Sequence, residues 1–101
     1  MGPNEMIGYS PAAALPAGPF RFIALDVETA SRDSASICQI GIACVRADSH
    51  IETYTTYVNP EQSFAAFNTE LHGIDAATVA QAPCFPEAWE LLKPLLELRH
   101  L

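Results

Sequence analysis

Three runs of apolar residues alternate with short polar segments along the first half of the chain. Residues 20–27, 37–45 and 51–58 have the length and the β-branched and aromatic content of strands. The first two runs are apolar at both alternating sets of positions, which predicts strands inside a sheet covered by helices on both sides. The third run is more polar, as expected of an edge strand. Short loops join the runs, so the sequence predicts an antiparallel three-stranded meander.

Two helical segments are predicted after the strands. The first, residues 76–82, follows Asp75, which is an N-cap residue type, and ends before Pro83. The second, residues 86–98, has apolar residues on one helix face, namely Ala88, Leu91, Leu92 and Leu95. Strands followed by amphipathic helices indicate a domain of the α/β class.

Two residues of the second helical segment bear on its shape and packing. Pro94 occupies a helix interior, where proline costs about 3 kcal/mol, so it should kink or end the helix. Trp89 fits the apolar helical pattern, and we expect it in the core and not as a platform on which bases stack.

The domain organisation is simple. Residues 1–19 are rich in Pro, Ala and Gly and are expected to form a flexible arm, whereas residues 20–101 form one domain. No apolar run reaches the roughly 18 residues of a membrane span, and the arm has no basic leader, so we expect a cytoplasmic protein. The three cysteines include no C-x-x-C pair, which favours buried thiols in a reducing compartment.

The net charge restricts the kind of nucleic-acid binding that is compatible with this chain. The formal charge is −7, from 12 acidic residues and five basic ones. Proteins that hold long stretches of nucleic acid carry a basic surface, because neutralising phosphates drives that binding. A nucleic-acid partner of this chain would therefore be held locally, by metal ions or a pocket, or by segments outside these 101 residues.

The first apolar run ends in two carboxylates, Asp26 and Glu28, within the sequence FIALDVETA. Residues i and i+2 of a strand point to the same side. Carboxylate oxygens are the ligands of Mg²⁺ and Mn²⁺, and pairs of such ions catalyse phosphodiester cleavage. With four Asp and eight Glu in 101 residues, about 0.3 D-x-E matches arise by chance. The alternative is that both side chains only solvate the end of the strand.

Five segments in order resemble a known family: FIALDVETA, SICQIGIACV, YVNPE, LHGID and APCFPEAWELLKPLL. Together they resemble the first half of a DEDD-type 3′–5′ exonuclease domain, and most closely the family of the epsilon proofreading subunit of bacterial DNA polymerase III. The resemblance covers residues 20–98. It implies a ribonuclease-H-like three-layer α/β fold, here truncated to a three-stranded antiparallel meander followed by two helices.

The resemblance implies roles for individual residues. Asp26 and Glu28, in the D-x-E-T motif, would hold Mg²⁺ or Mn²⁺, with two ions in the complete site. Thr29 and Ala30 would line the pocket for the 3′-terminal nucleotide of single-stranded DNA or RNA. His72 lies in an HGI segment similar to one that opens a helix beside that pocket. It is either a substrate contact or a histidine satisfied at the helix start.

The resemblance also implies what is missing. The family has a further Asp after its fourth strand and a late His–Asp pair, whose histidine is the general base. No matching segment occurs in the 101 residues, and His100 lacks the neighbours of that motif. We therefore expect an exonuclease fragment that is inactive alone. If nothing replaces the fourth strand, its first strand would have an open apolar edge through which two copies pair as a homodimer or exchange segments.

Two other interpretations remain open at this point. The chain could be an interaction module that uses the open edge, in which case the carboxylates are incidental and Asp26→Ala leaves binding unchanged. It could also be another metal-dependent phosphoryl hydrolase. A D-x-D-x-T pattern would support that class, but positions 28 and 30 are Glu and Ala.

Overall fold

A computed structural model describes residues 15–98 of the chain. Residues 1–14 of the arm predicted at residues 1–19, together with His100, lie outside this part. The elements are β1 (Phe22–Thr29), β2 (Ile37–Val45), β3 (Ile51–Tyr57), α1 (Ala66–His72) and α2 (Phe85–Leu98). The predicted order of three strands followed by two helices is confirmed.

The strands form an antiparallel sheet in the order β1-β2-β3, which is the predicted meander. In the sheet formed by the described residues, β3 is an edge strand, as expected, and β1 is the other edge. β1 begins and ends two residues later than predicted, because the pairing with β2 continues to Glu28 and Thr29. The register shifts between these two residues, so the strand ends in an irregularity.

The main core lies between one face of the sheet and α2. Alternate residues of β2 point to this face and are buried: Cys38, Ile40, Ile42 and Cys44. From α2, the buried side chains are Ala88, Leu92 and Leu95, three of the four residues predicted to share a face. The fourth, Leu91, lies at the border of that face and is half-buried.

The opposite face of the sheet is uncovered in the part of the chain that the structure describes. Thr53 and Thr55 of β3 are exposed there, and Phe22 of β1 is 49% exposed. The expectation of helices on both sides is therefore wrong for residues 15–98. On the helix side, Leu25 and Val27 of β1 are still 50% and 45% exposed, because the cover that α2 provides ends before them.

Two expectations about α2 need correction. The helix does not end at Pro94 but continues to Leu98. Pro94 and Glu90 are both exposed, so water can replace the N–H group that proline lacks, while the apolar face still packs on the sheet. Trp89 is not in the core. It is 37% exposed and stacks on Phe85, with ring centroids 5.9 Å apart.

The predicted helix at residues 76–82 is a series of turns. Its backbone hydrogen bonds span three residues, from Thr78 N–H to the Asp75 carbonyl (3.1 Å) and from Ala82 N–H to the Val79 carbonyl (2.9 Å). Asp75 does cap this segment, since its Oδ1 accepts a hydrogen bond from Thr78 N–H at 2.9 Å. The hydroxyl and the N–H of Thr78 together lower the pKa of Asp75.

The turn segment is held by a second, smaller cluster. Ile74 and Val79 are buried against Cys38, with Phe64 packed beside them. The first helix within residues 15–98 is instead α1, at residues 66–72, which the sequence pattern did not predict. No helix within residues 15–98 is long and apolar enough to cross a membrane.

Arg46, just after β2, anchors the segment that leads into β1. Its Nε and Nη2 atoms each donate to the Glu52 carboxylate at 3.0 Å, and Nη2 also donates to the Ala17 carbonyl at 2.8 Å. The guanidinium lies 4.8 Å from the centre of the Phe20 ring. The hydrogen bond raises the pKa of Arg46 and lowers that of Glu52. Part of the predicted arm is thus fixed to the sheet.

Candidate active site

Asp26 and Glu28 lie on the same face of β1, the face that α2 does not cover. In the β1–β2 ladder Asp26 is opposite Gly41, and Glu28 is opposite Gln39. Asp26 is exposed and Glu28 is partly buried. The structure therefore brings the two predicted carboxylates together near the end of an edge strand, where both can be reached from solvent.

Gly41 keeps the space beside Asp26 open. A Cβ atom added at this position would lie 3.8 Å from the Asp26 carbonyl oxygen, which is an ordinary contact. The backbone therefore does not require glycine here. A larger side chain would nevertheless share the sheet face with Asp26, because directly opposite residues point the same way.

The negative charge of the pair is not neutralised by a nearby cation. Among residues 15–98 the ion pairs are Arg46–Glu52 and Lys93–Glu90, and neither includes Asp26 or Glu28. No group of three or more His, Cys, Asp and Glu side chains in this range is arranged to hold a metal ion. At the end of β1 the described residues thus offer two carboxylates and no complete metal centre.

Ala30 follows the carboxylate strand and is fully buried. Its N–H donates to the Ser36 carbonyl at 2.8 Å, and its own carbonyl accepts from Ala65 N–H at 2.8 Å. The side chain of Ala30 is therefore packed in the interior, and both of its backbone polar groups already form hydrogen bonds. Its contact with a nucleotide, expected from the resemblance, remains a prediction.

The loop between β1 and β2 is folded by its own hydrogen bonds. Ser36, which is fully buried, accepts a hydrogen bond from Ser31 N–H at 3.0 Å and donates from its hydroxyl to the Asp33 carbonyl at 2.6 Å. The Asp33 carboxylate in turn accepts from Ala35 N–H at 2.9 Å. This loop therefore has a defined conformation beside the carboxylate strand.

His72 contacts the end of β1, and it ends a helix, whereas the resemblance implied that its segment opens one. It is the last residue of α1, and Gly73 follows as C-cap with a φ of 79°, a conformation that favours glycine. His72 Nε2 is 2.8 Å from the Thr29 carbonyl oxygen, and its Nδ1 accepts from Ile74 N–H at 3.0 Å. The structure thus brings Thr29 and His72 into direct contact.

Asn68 belongs to the same arrangement and was missed in the sequence. Its Nδ2 donates to the Thr29 carbonyl oxygen at 3.2 Å. Asn68 precedes His72 by four residues, so both side chains lie on one face of α1. The four-residue spacing could be read from the sequence, but it places the two side chains on one face only if the segment is known to be a helix, and α1 was not predicted.

The buried thiols of β2 give a test of the described packing. Burial, and secondarily the negative charge of Glu28, raises the pKa of Cys38 to about 11. Burial also raises the pKa of Cys44, whereas Cys84 is only half-buried. At pH 8 the native chain should react with a thiol reagent first at Cys84, and at Cys38 about 100-fold more slowly than an unperturbed thiol.

Mass spectrometry of the labelled peptides at successive times measures these rates. The same reaction in urea is the control, because unfolding should remove the differences between the three cysteines. Comparable labelling of Cys38 and Cys84 in the native chain would contradict the described core.

Comparisons with known proteins agree with this geometry. The Exonuclease family matches residues 23–101 of the chain. DNA polymerase III PolC-type from Caldanaerobacter subterraneus subsp. tengcongensis is 34% identical over 68 residues, which are 65% of this chain and 5% of that protein. The chain therefore spans a small part of this curated relative.

Two solved structures are similar in fold. One is described as a full-length 3′-exonuclease and has a TM-score of 0.65 at 24% identity, covering 78% of this chain and 29% of that chain. The other shows 3′-end specific recognition of a histone mRNA stem-loop by a 3′-exonuclease. Its TM-score is 0.64 at 25% identity, and the match covers 78% of this chain and 40% of that chain.

These similarities confirm the ribonuclease-H-like fold expected from the resemblance. The order of strands and helices, the sequence around Asp26 and Glu28, and the family match over more than half of the chain are consistent with one another. The chain belongs to the Exonuclease family.

Proposed function

We propose that this chain forms part of a metal-dependent exonuclease site that removes nucleotides from the 3′ end of single-stranded DNA or RNA. The observation that carries the proposal is the placement of Asp26 and Glu28. Both lie on one exposed sheet face at the end of β1, beside Gly41 and without a cationic partner among the described residues.

The donor set fits part of a divalent metal site. Asp26 and Glu28 offer the carboxylate oxygens that Mg²⁺ and Mn²⁺ prefer. Two divalent ions, when bound, would activate the attacking water and stabilise the leaving oxygen. In this proposal the chain itself contributes two of the four carboxylates of a complete site, so its metal affinity is weak.

The surroundings of the strand end would hold the terminal nucleotide. Thr29, at the edge of the site, is half-buried and offers its side chain. Ala30 would contribute by fixing the backbone next to Thr29, since its own polar groups are occupied. A contact with His72 would use the face of the imidazole, because both ring nitrogens already have partners.

Incubation with a 5′-labelled single strand tests the proposed activity. The 101-residue chain should release no 3′ nucleotides with either Mn²⁺ or Mg²⁺, because half of the ligands and the general base are lacking. An extension of the chain by the remaining exonuclease motifs should restore degradation. In the extended chain Asp26→Ala should abolish activity, and Asp48→Ala, which removes the same charge at a distant turn, should not.

Two results would contradict parts of this proposal. Degradation by the 101-residue chain that is lost in Asp26→Ala would show that the missing ligands come from elsewhere, and the expected inactivity would be wrong. Activity of the extended chain that survives Asp26→Ala would exclude Asp26 as an essential metal ligand.

A second function, self-association through β1, is favoured by one observation. β1 is an edge strand, and Phe22, Leu25 and Val27 are each about half-exposed along it. Bare edges with apolar side chains pair with other strands. We infer that two copies pair through this edge in the absence of another strand to cover it.

Sedimentation equilibrium tests the self-association. The wild-type chain should sediment as a dimer, and Leu25→Lys should shift it towards the monomer by placing a charge on the pairing strand. Leu71→Lys is the matched control, since Leu71 is also exposed but lies on α1. A wild-type chain that remains a monomer at all concentrations would refute this role of the edge.

A further inference from the structure

α1 is attached to the domain by polar contacts and not by apolar packing. None of its seven residues is buried. Its two large apolar side chains, Phe67 and Leu71, are 73% and 72% exposed. A single helix of this length is not stable by itself in water. The position of α1 must therefore depend on the contacts that its polar side chains make.

Those contacts converge on the two residues that follow Glu28. The Thr29 carbonyl oxygen is 3.2 Å from Asn68 Nδ2 and 2.8 Å from His72 Nε2. One residue further along, the Ala30 carbonyl accepts from Ala65 N–H, next to the first residue of α1. α1 is thus tied along its length to the end of the carboxylate strand.

The hydrogen bonds of His72 define its tautomer. Ile74 N–H donates to His72 Nδ1, so this nitrogen carries a lone pair and no proton. The proton of the neutral ring is then on Nε2, which donates it to the Thr29 carbonyl oxygen. His72 therefore has two separable hydrogen bonds, one to the strand end and one to the backbone after α1.

We propose that Asn68 and His72 are positioning residues that hold the Thr29 carbonyl and so fix the end of β1, with Glu28, against α1. The inference rests on the proposed function, because it assigns the pair a role for the carboxylate site. The register shift between Glu28 and Thr29 interrupts the regular β1–β2 ladder at this point. The position of this strand end therefore depends more on contacts with residues outside the sheet. Asn68 and His72 supply these contacts.

Two substitutions at His72 separate its hydrogen bonds. In His72→Gln the side-chain NH₂ group can take the place of Nε2 and donate to the Thr29 carbonyl, but the acceptor for Ile74 N–H is lost. In His72→Asn the side-chain oxygen can take the place of Nδ1 and accept from Ile74, but the donor to Thr29 is lost. Asn68→Ala removes the second donor to Thr29.

Amide hydrogen exchange is the first measurement. Its reporters in α1 are the amides of Thr69 and Gly73, which donate to the Ala65 and Thr69 carbonyls. His72→Asn and Asn68→Ala should speed their exchange, and His72→Gln should restore rates close to those of the wild type. The amide of Ile42 in β2 reports on global folding and should exchange equally slowly in all variants.

The affinity for Mn²⁺ is the second measurement, read from paramagnetic broadening of the Asp26 and Glu28 amide signals. His72→Asn and Asn68→Ala should raise the Kd about tenfold, the lower end of the effect of residues that orient metal ligands. His72→Gln should restore most of the affinity. If His72 served only to end α1 through its hydrogen bond with Ile74, His72→Asn would retain a higher Mn²⁺ affinity than His72→Gln.

The outcomes separate this inference from the proposed function. The inference would be overturned if His72→Asn and Asn68→Ala both kept the amide exchange rates and the Mn²⁺ affinity of the wild type. It would also be overturned if His72→Gln and His72→Asn changed these quantities equally. If the wild-type chain shows no Mn²⁺ binding that depends on Asp26, the proposed metal site fails. The exchange rates then still decide whether the two side chains hold α1 to the strand.

Discussion

Leu92→Ala should lower the free energy of unfolding by about 2–5 kcal/mol. Leu92 is fully buried at the centre of the main core, between α2 and the sheet. The substitution removes apolar contacts and leaves a cavity that the surrounding side chains fill only in part. Small domains have a total stability of roughly 5–15 kcal/mol, so this change removes a large share of it.

Leu71→Ala is the matched control for this substitution. Leu71 is also a helical leucine, but its side chain is 72% exposed, so the change should alter the free energy of unfolding by no more than about 0.5 kcal/mol. Urea unfolding followed by circular dichroism measures both variants. Equal effects of the two substitutions would contradict the packing of α2 on the sheet.

Asp26→Asn and Glu28→Gln should each weaken Mn²⁺ binding by about tenfold or more. Each substitution keeps the shape of the side chain but removes one negative charge and one strong oxygen ligand from the site. The double variant should show no saturable binding at this face. Paramagnetic broadening of the amide signals of β1 measures the affinity at the residue level.

Asp48→Asn is the control for net charge. Asp48 lies in the turn between β2 and β3, at the opposite end of the sheet from Glu28. The substitution changes the charge of the chain by the same amount, so Mn²⁺ affinity at β1 should stay unchanged. A similar loss of affinity in this variant would mean that the ions respond to overall charge and not to the carboxylate pair.

The strands and the carboxylate pair could be predicted from the sequence because they depend on local periodicity. Alternation of two residues places Asp26 and Glu28 on one side wherever β1 ends, so the two-residue error in its bounds did not matter. The packing face of α2 was predictable for the same reason, since the helical spacing of Ala88, Leu92 and Leu95 determines which side is buried.

α1 could not be predicted from the same kind of pattern. Periodicity detects a helix through its buried face, and α1 has none. Its position depends on hydrogen bonds between residues about 40 positions apart, such as those from Asn68 and His72 to Thr29. Such contacts leave no signal in a short window of sequence.

The apolar pattern of β1 led to a partly wrong expectation. Apolar residues on both faces predict a strand covered on both sides, yet Phe22, Leu25 and Val27 are half-exposed within residues 15–98. Trp89 was misassigned for a related reason. Its position next to Ala88 turns it about 100° away from the packed face, and only the actual angle of α2 on the sheet decides its exposure.

The buried Ser36 has a consequence for the thermodynamics of ligand binding. Ordering a loop residue costs roughly 1–2 kcal/mol of backbone conformational entropy, and flexible loops incur this loss when a ligand arrives. The loop at residues 31–36 is already ordered by the hydrogen bonds of Ser36, so this loss occurs during folding. If a nucleotide binds next to Thr29, as we propose, this loop is already ordered and would add little entropic penalty to the binding.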